Sequence, residues 1–187
     1  MKNFKKIVLT IMLGVLVLLP SAVYAKTEVK TNEELKAATK NGGDIVLQND
    51  IVLTDDITVK GQNISIDLNG NTITLKAYID VFEGSLEFKG NGLIKDDRED
   101  TNATIYVYGS ADSKAVAFAT LTVGKDVKIE TKRYGITVWP CEVNKKAVPT
   151  YGTVVNFNGT IISTNKNAGA ITINGNIQNN GKLANAP

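Results

Sequence analysis

From Asp44 onward, apolar and polar residues alternate in short runs separated by Gly, Asn and Asp. Ile45-Val46-Leu47 and Ile51-Val52-Leu53 are compact apolar runs on either side of Gln48-Asn49-Asp50, and Ile57 and Val59 alternate ahead of Lys60-Gly61. Two further alternating runs follow, Ile64-Ser65-Ile66-Asp67-Leu68 and Ile73-Thr74-Leu75, joined through Asn69-Gly70. Tyr78–Phe82 and Leu86–Ile94 continue the pattern. A period of two, broken this often by turn-forming residues, predicts many short strands and tight corners.

The pattern also repeats. An apolar–any–apolar run followed closely by Gly and another apolar residue occurs at Ile66–Ile73, Leu86–Leu93, Val155–Ile161 and Ile171–Ile177, with a weaker copy at Leu121–Val127. The marker glycines are Gly70, Gly90, Gly124, Gly159 and Gly175, at successive spacings of 20, 34, 35 and 16. The short spacings indicate a unit of 16–20 residues, and the long ones a unit plus an insertion. Asp96–Asn102, polar and acidic, and Pro140–Pro149, bounded by prolines, fit as the insertions.

Ahead of the strands the period is helical. Thr31 or Asn32 can cap a helix that carries Glu33 and Glu34 in its first turn and Lys40 in its last, and Asn41-Gly42-Gly43 stops it. Leu35 and Ala38 give it a narrow apolar face. Residues 1–25 read as a signal peptide: Lys2, Lys5 and Lys6, then a thirteen-residue apolar run from Ile7 to Leu19, then Pro20 and a cleavage site after Ala25. That run is shorter than the roughly 20 residues that span a bilayer. The expected organisation is therefore a signal peptide over 1–25, a leader and helix over 26–43, and strands over 44–187. Nothing after Asn179 resembles a cap, so further repeats or a covering partner are expected at the C-terminal end.

Asn-Gly between alternating runs is a strong hairpin signal, which points locally to an antiparallel sandwich. The strands are short for hairpin arms, however, and the unit recurs near the length of one turn of a parallel coil. In a coil, Asn-Gly would turn a corner, and Ile64, Ile66, Leu68 and Ile73 would stack on their equivalents one turn away. The coil is the preferred reading and the sandwich the alternative.

The helix, followed by Asn41-Gly42-Gly43-Asp44-Ile45-Val46-Leu47, Asp50-Ile51-Val52-Leu53 and Ile66-Asp67-Leu68-Asn69-Gly70-Asn71-Thr72-Ile73, resembles the opening of pectate-lyase-like right-handed parallel β-helix proteins. Tyr151–Ile161 also looks like a coil of that family. The resemblance covers about residues 31–180. It implies an all-β parallel β-helix whose N-terminal helix covers the first apolar layer through Leu35 and Ala38. It implies no particular activity, because the family includes lyases, hydrolases, adhesins and stalks.

Composition narrows the chemistry. The chain has no histidine, which removes His-based acid–base and triad chemistry and most zinc sites. Its one cysteine, Cys141, cannot form an internal disulfide and is expected to be buried. Without the three N-terminal lysines, 18 basic residues face 19 acidic ones, a balance that gives no electrostatic case for nucleic acid.

The dense acidic run Asp96-Asp97-Arg98-Glu99-Asp100 can be read as a cation site, as lyases of the resembled family use Ca²⁺, but a solvated loop is the simpler reading. Asp67 and Glu87 fall at like positions in two repeats and are expected on the outer face. Tyr106, Tyr108, Tyr134 and Trp139 can stack on sugars, or Trp139-Pro140 can dock the 140–149 segment. Three Asn-X-Ser/Thr triplets, at Asn63, Asn102 and Asn158, are chance in a chain this rich in Asn and Thr.

No catalytic residue, metal ligand or cofactor emerges from these readings. The expectation is an exported, non-catalytic module of a bacterial secreted or cell-surface protein: a stalk, an adhesin or a surface for cell-wall or host glycans. It would have no membrane span once the signal peptide is removed. A polysaccharide lyase or glycoside hydrolase fragment is the alternative, and it requires acids from several repeats to converge on one groove.

Overall fold

The structure, a computed structural model, describes residues 26–108, 119–139, 141–143, 146–148 and 154–173. The expected signal peptide, Gly175 and Pro140 lie outside the described residues, as do the side chains of 141–150. Among the described residues the fold is all-β, built mostly from parallel strands, with one helix. Strand β1 (Thr27–Val29) leads into α1 (Asn32–Asn41). The strands that follow fall into three rows, which the chain visits in turn.

The first row holds β1, β2 (Gly43–Leu47), the second halves of β4 (Ile57–Asp67) and β6 (Ile79–Lys89), β9 (Ala119–Val123) and β14 (Val154–Phe157). The second holds β3 (Ile51–Leu53), β5 (Thr72–Leu75), β7 (Gly92–Asp96), β10 (Val127–Thr131) and β15 (Thr160–Ser163). The third holds the first halves of β4 and β6, then β8 (Ala103–Val107), β11 (Tyr134–Val138) and β16 (Ile171–Ile173). Every one of these pairings is parallel. Only β12 (Cys141–Val143) and β13 (Lys146–Val148) pair antiparallel, as a small hairpin within the expected 140–149 insertion. Among the described strands the antiparallel sandwich is therefore not what forms.

The register fixes the repeat length. Gly43 pairs with Ile64, Ile64 with Leu86, Leu86 with Leu121 and Leu121 with Val155. The basic step is thus 21 or 22 residues, longer than the expected 16–20. The shortfall came from Gly175. Its run, Ile171–Ile173, pairs with Ile136–Val138 in the third row, whereas the Ile66, Leu86 and Val155 runs lie in the first. Asp96–Asn102 does mark an insertion, since Ile73 pairs with Ile94 at a step of 21 but Ile79 pairs with Ile105 at a step of 26. A second insertion, unmarked by any repeat, enters between Val107 and Ala119.

Strand alternation sends one residue in two inward, and the register places like on like. Ile51, Ile73, Ile94, Ile129 and Ile161 form one inward column, and Ile57, Ile79, Ile105, Ile136 and Ile171 another. These columns make a single apolar core. Helix α1 lies over its first layer with Leu35 and Ala38 buried, as the resemblance implied. Thr31 caps the helix by accepting from the Glu34 amide, and the helix is pinned to the strands by Lys36 Nζ and Asn32 Nδ2 on Asp55, at 2.6 and 3.0 Å. In the last described layer, Ile171 and Ile173 point inward yet are 37% exposed.

Asn69-Gly70 explains why the hairpin signal misleads. Both residues have positive φ, 49° and 83°, and the Asn71 amide donates to Leu68 O at 2.8 Å, as in the turns that close hairpins. Yet the arms of this turn pair with other strands in parallel, never with each other. Asn69 and Asn71 both donate side-chain N–H to Leu47 O, which ties the corner to the preceding layer. At the opposite corner Gly84 has φ 84°, and a Cβ there would overlap the Gln62 carbonyl oxygen. Only glycine lets β4 and β6 bend continuously from the third row into the first.

Candidate functional site

The inward column at the end of the second row changes character midway. It starts with Leu53 and Leu75, then becomes Asp96, Thr131 and Ser163. These polar residues receive Arg133, whose side chain is 0% exposed, as is that of Asp96. Two cations converge on Asp96. Arg98 grips it in bidentate fashion, with Nε 2.8 Å from Oδ1 and Nη2 2.9 Å from Oδ2, and Arg133 Nη1 lies 3.4 Å from Oδ2.

Arg133 Nη2 also contacts Asp100 Oδ1, off the hydrogen-bonding direction, so this second pair is an ionic contact. Arg133 Nε has no hydrogen-bond partner among the described residues. The Tyr78 ring receives both guanidiniums, Arg98 at 4.7 Å and Arg133 at 5.1 Å from its centroid. Thr131 Oγ1 accepts from the Arg133 amide and from Thr104 Oγ1, and Ser163 Oγ donates to Arg133 O.

The run read as a solvated loop is therefore partly a core element. Asp97 and Glu99 do face solvent, on Lys95 and Lys132. Asp96 is the last residue of β7 and is buried. Desolvation pushes the Asp100 carboxyl up, but the Asn102 amide and the Arg133 and Arg98 guanidiniums outweigh it and hold it below the ordinary carboxylate range. The sequence signal for this cluster was Arg133 itself, a lone arginine two residues beyond an alternating run, which carried no pattern of its own.

Thr101, the residue after the ion-paired Asp100, lies in the wall of a cleft. Thr101, Ala103, Tyr106, Tyr134, Thr137, Trp139 and Thr172 line an open depression of about 230 Å³ along the third row. Tyr106 OH donates to Asn102 Oδ1 at 3.3 Å and accepts from the Ala103 amide at 3.0 Å. Tyr134 OH donates to Asn167 O at 3.0 Å, which fixes the opposite ring. Trp139, read from the sequence as a sugar-stacking ring or a dock for the 140–149 segment, is 45% exposed. Tyr108 does not join these rings; it packs edge-on against Phe82 with centroids 3.9 Å apart.

Asp80 stands beside the cleft, next to Tyr106 in register. Desolvation, and then the neighbouring Asp56, push its carboxyl up to about 6. Desolvation and the charge of Asp80 likewise raise the Tyr108 hydroxyl above its ordinary range. A carboxyl whose folded value lies above its unfolded value of 3.8 binds more protons in the folded state between about pH 4 and 6. Stability therefore falls as pH rises through that window, and the ionised form is a burden at neutral pH. Asp80→Asn is expected to stabilise the fold by about 1–2 kcal/mol at neutral pH, after allowance for screening at a partly exposed site. It is also expected to remove that pH slope, and thermal melts across the window measure both effects.

Asp67 and Glu87 lie on the outer face of the first row, away from this cleft, and not at like positions. Asp67 pairs with Lys89, and Glu87 with Ser65. Ser65 Oγ donates to Glu87 Oε2 at 2.7 Å, and Lys89 Nζ reaches Asp44 at 3.3 Å and Glu87 at 3.9 Å. Among the described residues, no three acidic or cysteine side chains group as a metal site would require. No helix among them is long and apolar enough to cross a membrane. No protein-family model, curated protein or solved structure matches the chain.

Proposed function

We propose that this chain is a right-handed parallel β-helical module of an exported bacterial protein, pectate-lyase-like in architecture, and that its third-row cleft binds glycan chains without cleaving them. The architectural reading is supported by the parallel rows, the repeated step of 21–22 residues and the helix over the first apolar layer. Export rests on the signal-peptide pattern of residues 1–25.

The observation that carries the binding reading is the lining of the cleft. Tyr106, Tyr134 and Trp139 line it together with Thr101, Thr137 and Thr172. A pyranose ring has an apolar C–H face that lies against an aromatic ring and a rim of hydroxyls that suits threonine. The tyrosine hydroxyls are already engaged with Asn102 and Asn167, so their rings are held in place before a ligand arrives.

Trp139 is the sole tryptophan, so its fluorescence reports on this site alone. Titration with soluble cell-wall oligosaccharides is expected to change that emission saturably. By calorimetry, Trp139→Ala is expected to weaken binding about tenfold, equivalent to about 1.4 kcal/mol. An emission that no oligosaccharide alters would leave a scaffold only. New reducing ends released from the same glycans would make the cleft an active site.

A further inference from the structure

Building on the glycan-binding reading, we propose that the cleft selects chains bearing free, protonated amino groups, with Asp80 as the counter-charge and Asp56 reinforcing it. The register sets Thr58, Asp80, Tyr106, Thr137 and Thr172 in one column across the third row. The last three line the cleft. Asp80 is the next member of that column, one strand spacing of about 4.8 Å from Tyr106. A sugar stacked on Tyr106 therefore has a carboxylate at its edge.

Among the described residues that carboxylate has no counter-ion. Asp44, Asp55, Glu87, Asp96, Asp97, Glu99, Asp100 and Glu130 each meet a lysine or arginine. No hydrogen-bond donor or cation among the described residues reaches the Asp80 side chain. The groups that face it are Thr58 and Tyr106 in register, with Asp56 and Tyr108 close enough for their charges to couple with it. Among the described residues Asp56 accepts from the Tyr78 amide, at 2.8 Å, and meets no cation, so it adds a second negative charge. None of the residues lining the cleft is charged.

An ammonium group at this edge gains a charge-assisted hydrogen bond from a partly desolvated carboxylate. A uronate in the same place meets two like charges and no cation. The cleft should thus rank amino sugars above acetylated ones, and both above uronic acids. Electrostatic selection of this kind weakens as salt is added.

The test uses oligomers of equal length made of glucosamine, N-acetylglucosamine or galacturonate. Each is titrated into the protein near neutral pH at low and at high salt, with Trp139 emission and calorimetry as readouts. The glucosamine oligomer is expected to bind about tenfold tighter than its acetylated counterpart at low salt, and galacturonate weakest of the three. In Asp80→Asn, and to a smaller degree in Asp56→Asn, the glucosamine preference should shrink toward parity, with a thermal melt showing each variant folded. Equal binding of the two hexosamine oligomers, a preference that survives both variants, or tightest binding of galacturonate would overturn charge selection and leave the glycan reading standing. Binding of none of the three would overturn both. Saturable binding of calcium chloride alone, lost in Asp80→Asn, would assign the carboxylates to a metal and overturn the proposal.

Discussion

Arg133→Ala is expected to destabilise the fold by about 3–5 kcal/mol, because it strips a fully buried carboxylate of one of its two cations. Asp96 would keep Arg98 but lose Arg133, and Asp100 would lose its contact with the core. The Tyr78 ring would lose one of the guanidiniums that lie over it. Denaturant unfolding measures the loss, and a change below about 1 kcal/mol would mean that water reaches Asp96 after all.

A compensating pair sharpens this test. The column that holds Asp96 carries Leu at positions 53 and 75, so Asp96→Leu with Arg133→Met restores the apolar pattern found earlier in the chain. That pair is expected to recover much of the single-variant loss, since exchanging a buried ion pair for apolar side chains of similar volume is often close to neutral. What it should not recover is the cleft. Arg98 and Asp100 would lose the charges that hold the 97–102 segment, and Thr101 lines the depression above them. Stability and binding should therefore separate in the double variant.

Leu35→Ala is expected to cost about 2–5 kcal/mol. Leu35 is the helix residue set deepest in the core cluster, and it covers the inward residues of the first strands. The neighbouring Lys36→Ala removes an exposed ion pair with Asp55 and is expected to cost at most about 1 kcal/mol. Paired denaturation curves for these two variants compare the apolar lid with its surface clasp. Similar losses in both would mean that the helix is held by its surface contacts rather than by its packing.

The parts of the fold that follow from alternation were legible in the sequence. Ile64, Ile66, Leu68 and Ile73 are all buried where the period-two reading sent them, and Leu35 and Ala38 were singled out by helical spacing. The repeat is longer than the glycine spacing suggests because Ile171-Thr172-Ile173 reads like the Ile66–Leu68 and Leu86–Phe88 runs yet pairs in the third row, and runs of different rows look alike as strings. Only strand pairing distinguishes a corner between the first and second rows from one between the third and first.

The candidate site was less legible, for two physical reasons. A buried ion pair is written in the same letters as a solvated one, so Asp96 and Asp97 could not be told apart without the burial that separates them. The aromatic cleft joins residues from β8, β11 and β16, whose separation along the chain reflects insertions rather than any local period. By alternation Tyr106 goes with Tyr108 on one strand face, and Tyr134 and Trp139 lie near an insertion. Tyr106 and Tyr134 both line the depression, Tyr106 in register with Thr137 and Tyr134 with Ala103.

The connections differ sharply in their tolerance of length. Between the first and second rows they stay at two to four residues: 68–71, 90–91, 124–126 and 158–159. Both connections flanking the third row vary, from two residues at 132–133 to seven at 164–170 on one side, and from an unbroken strand at Gly61 through the span 108–118 to the span 139–153 on the other. One edge is thus a spine of fixed pitch, and the other two are open ports around the cleft. Loop closure entropy grows only slowly with length, so segments of differing size can be grafted at those ports with little effect on the ladder. The same frame can carry loops of different length and sequence at those two edges, with the spine left untouched.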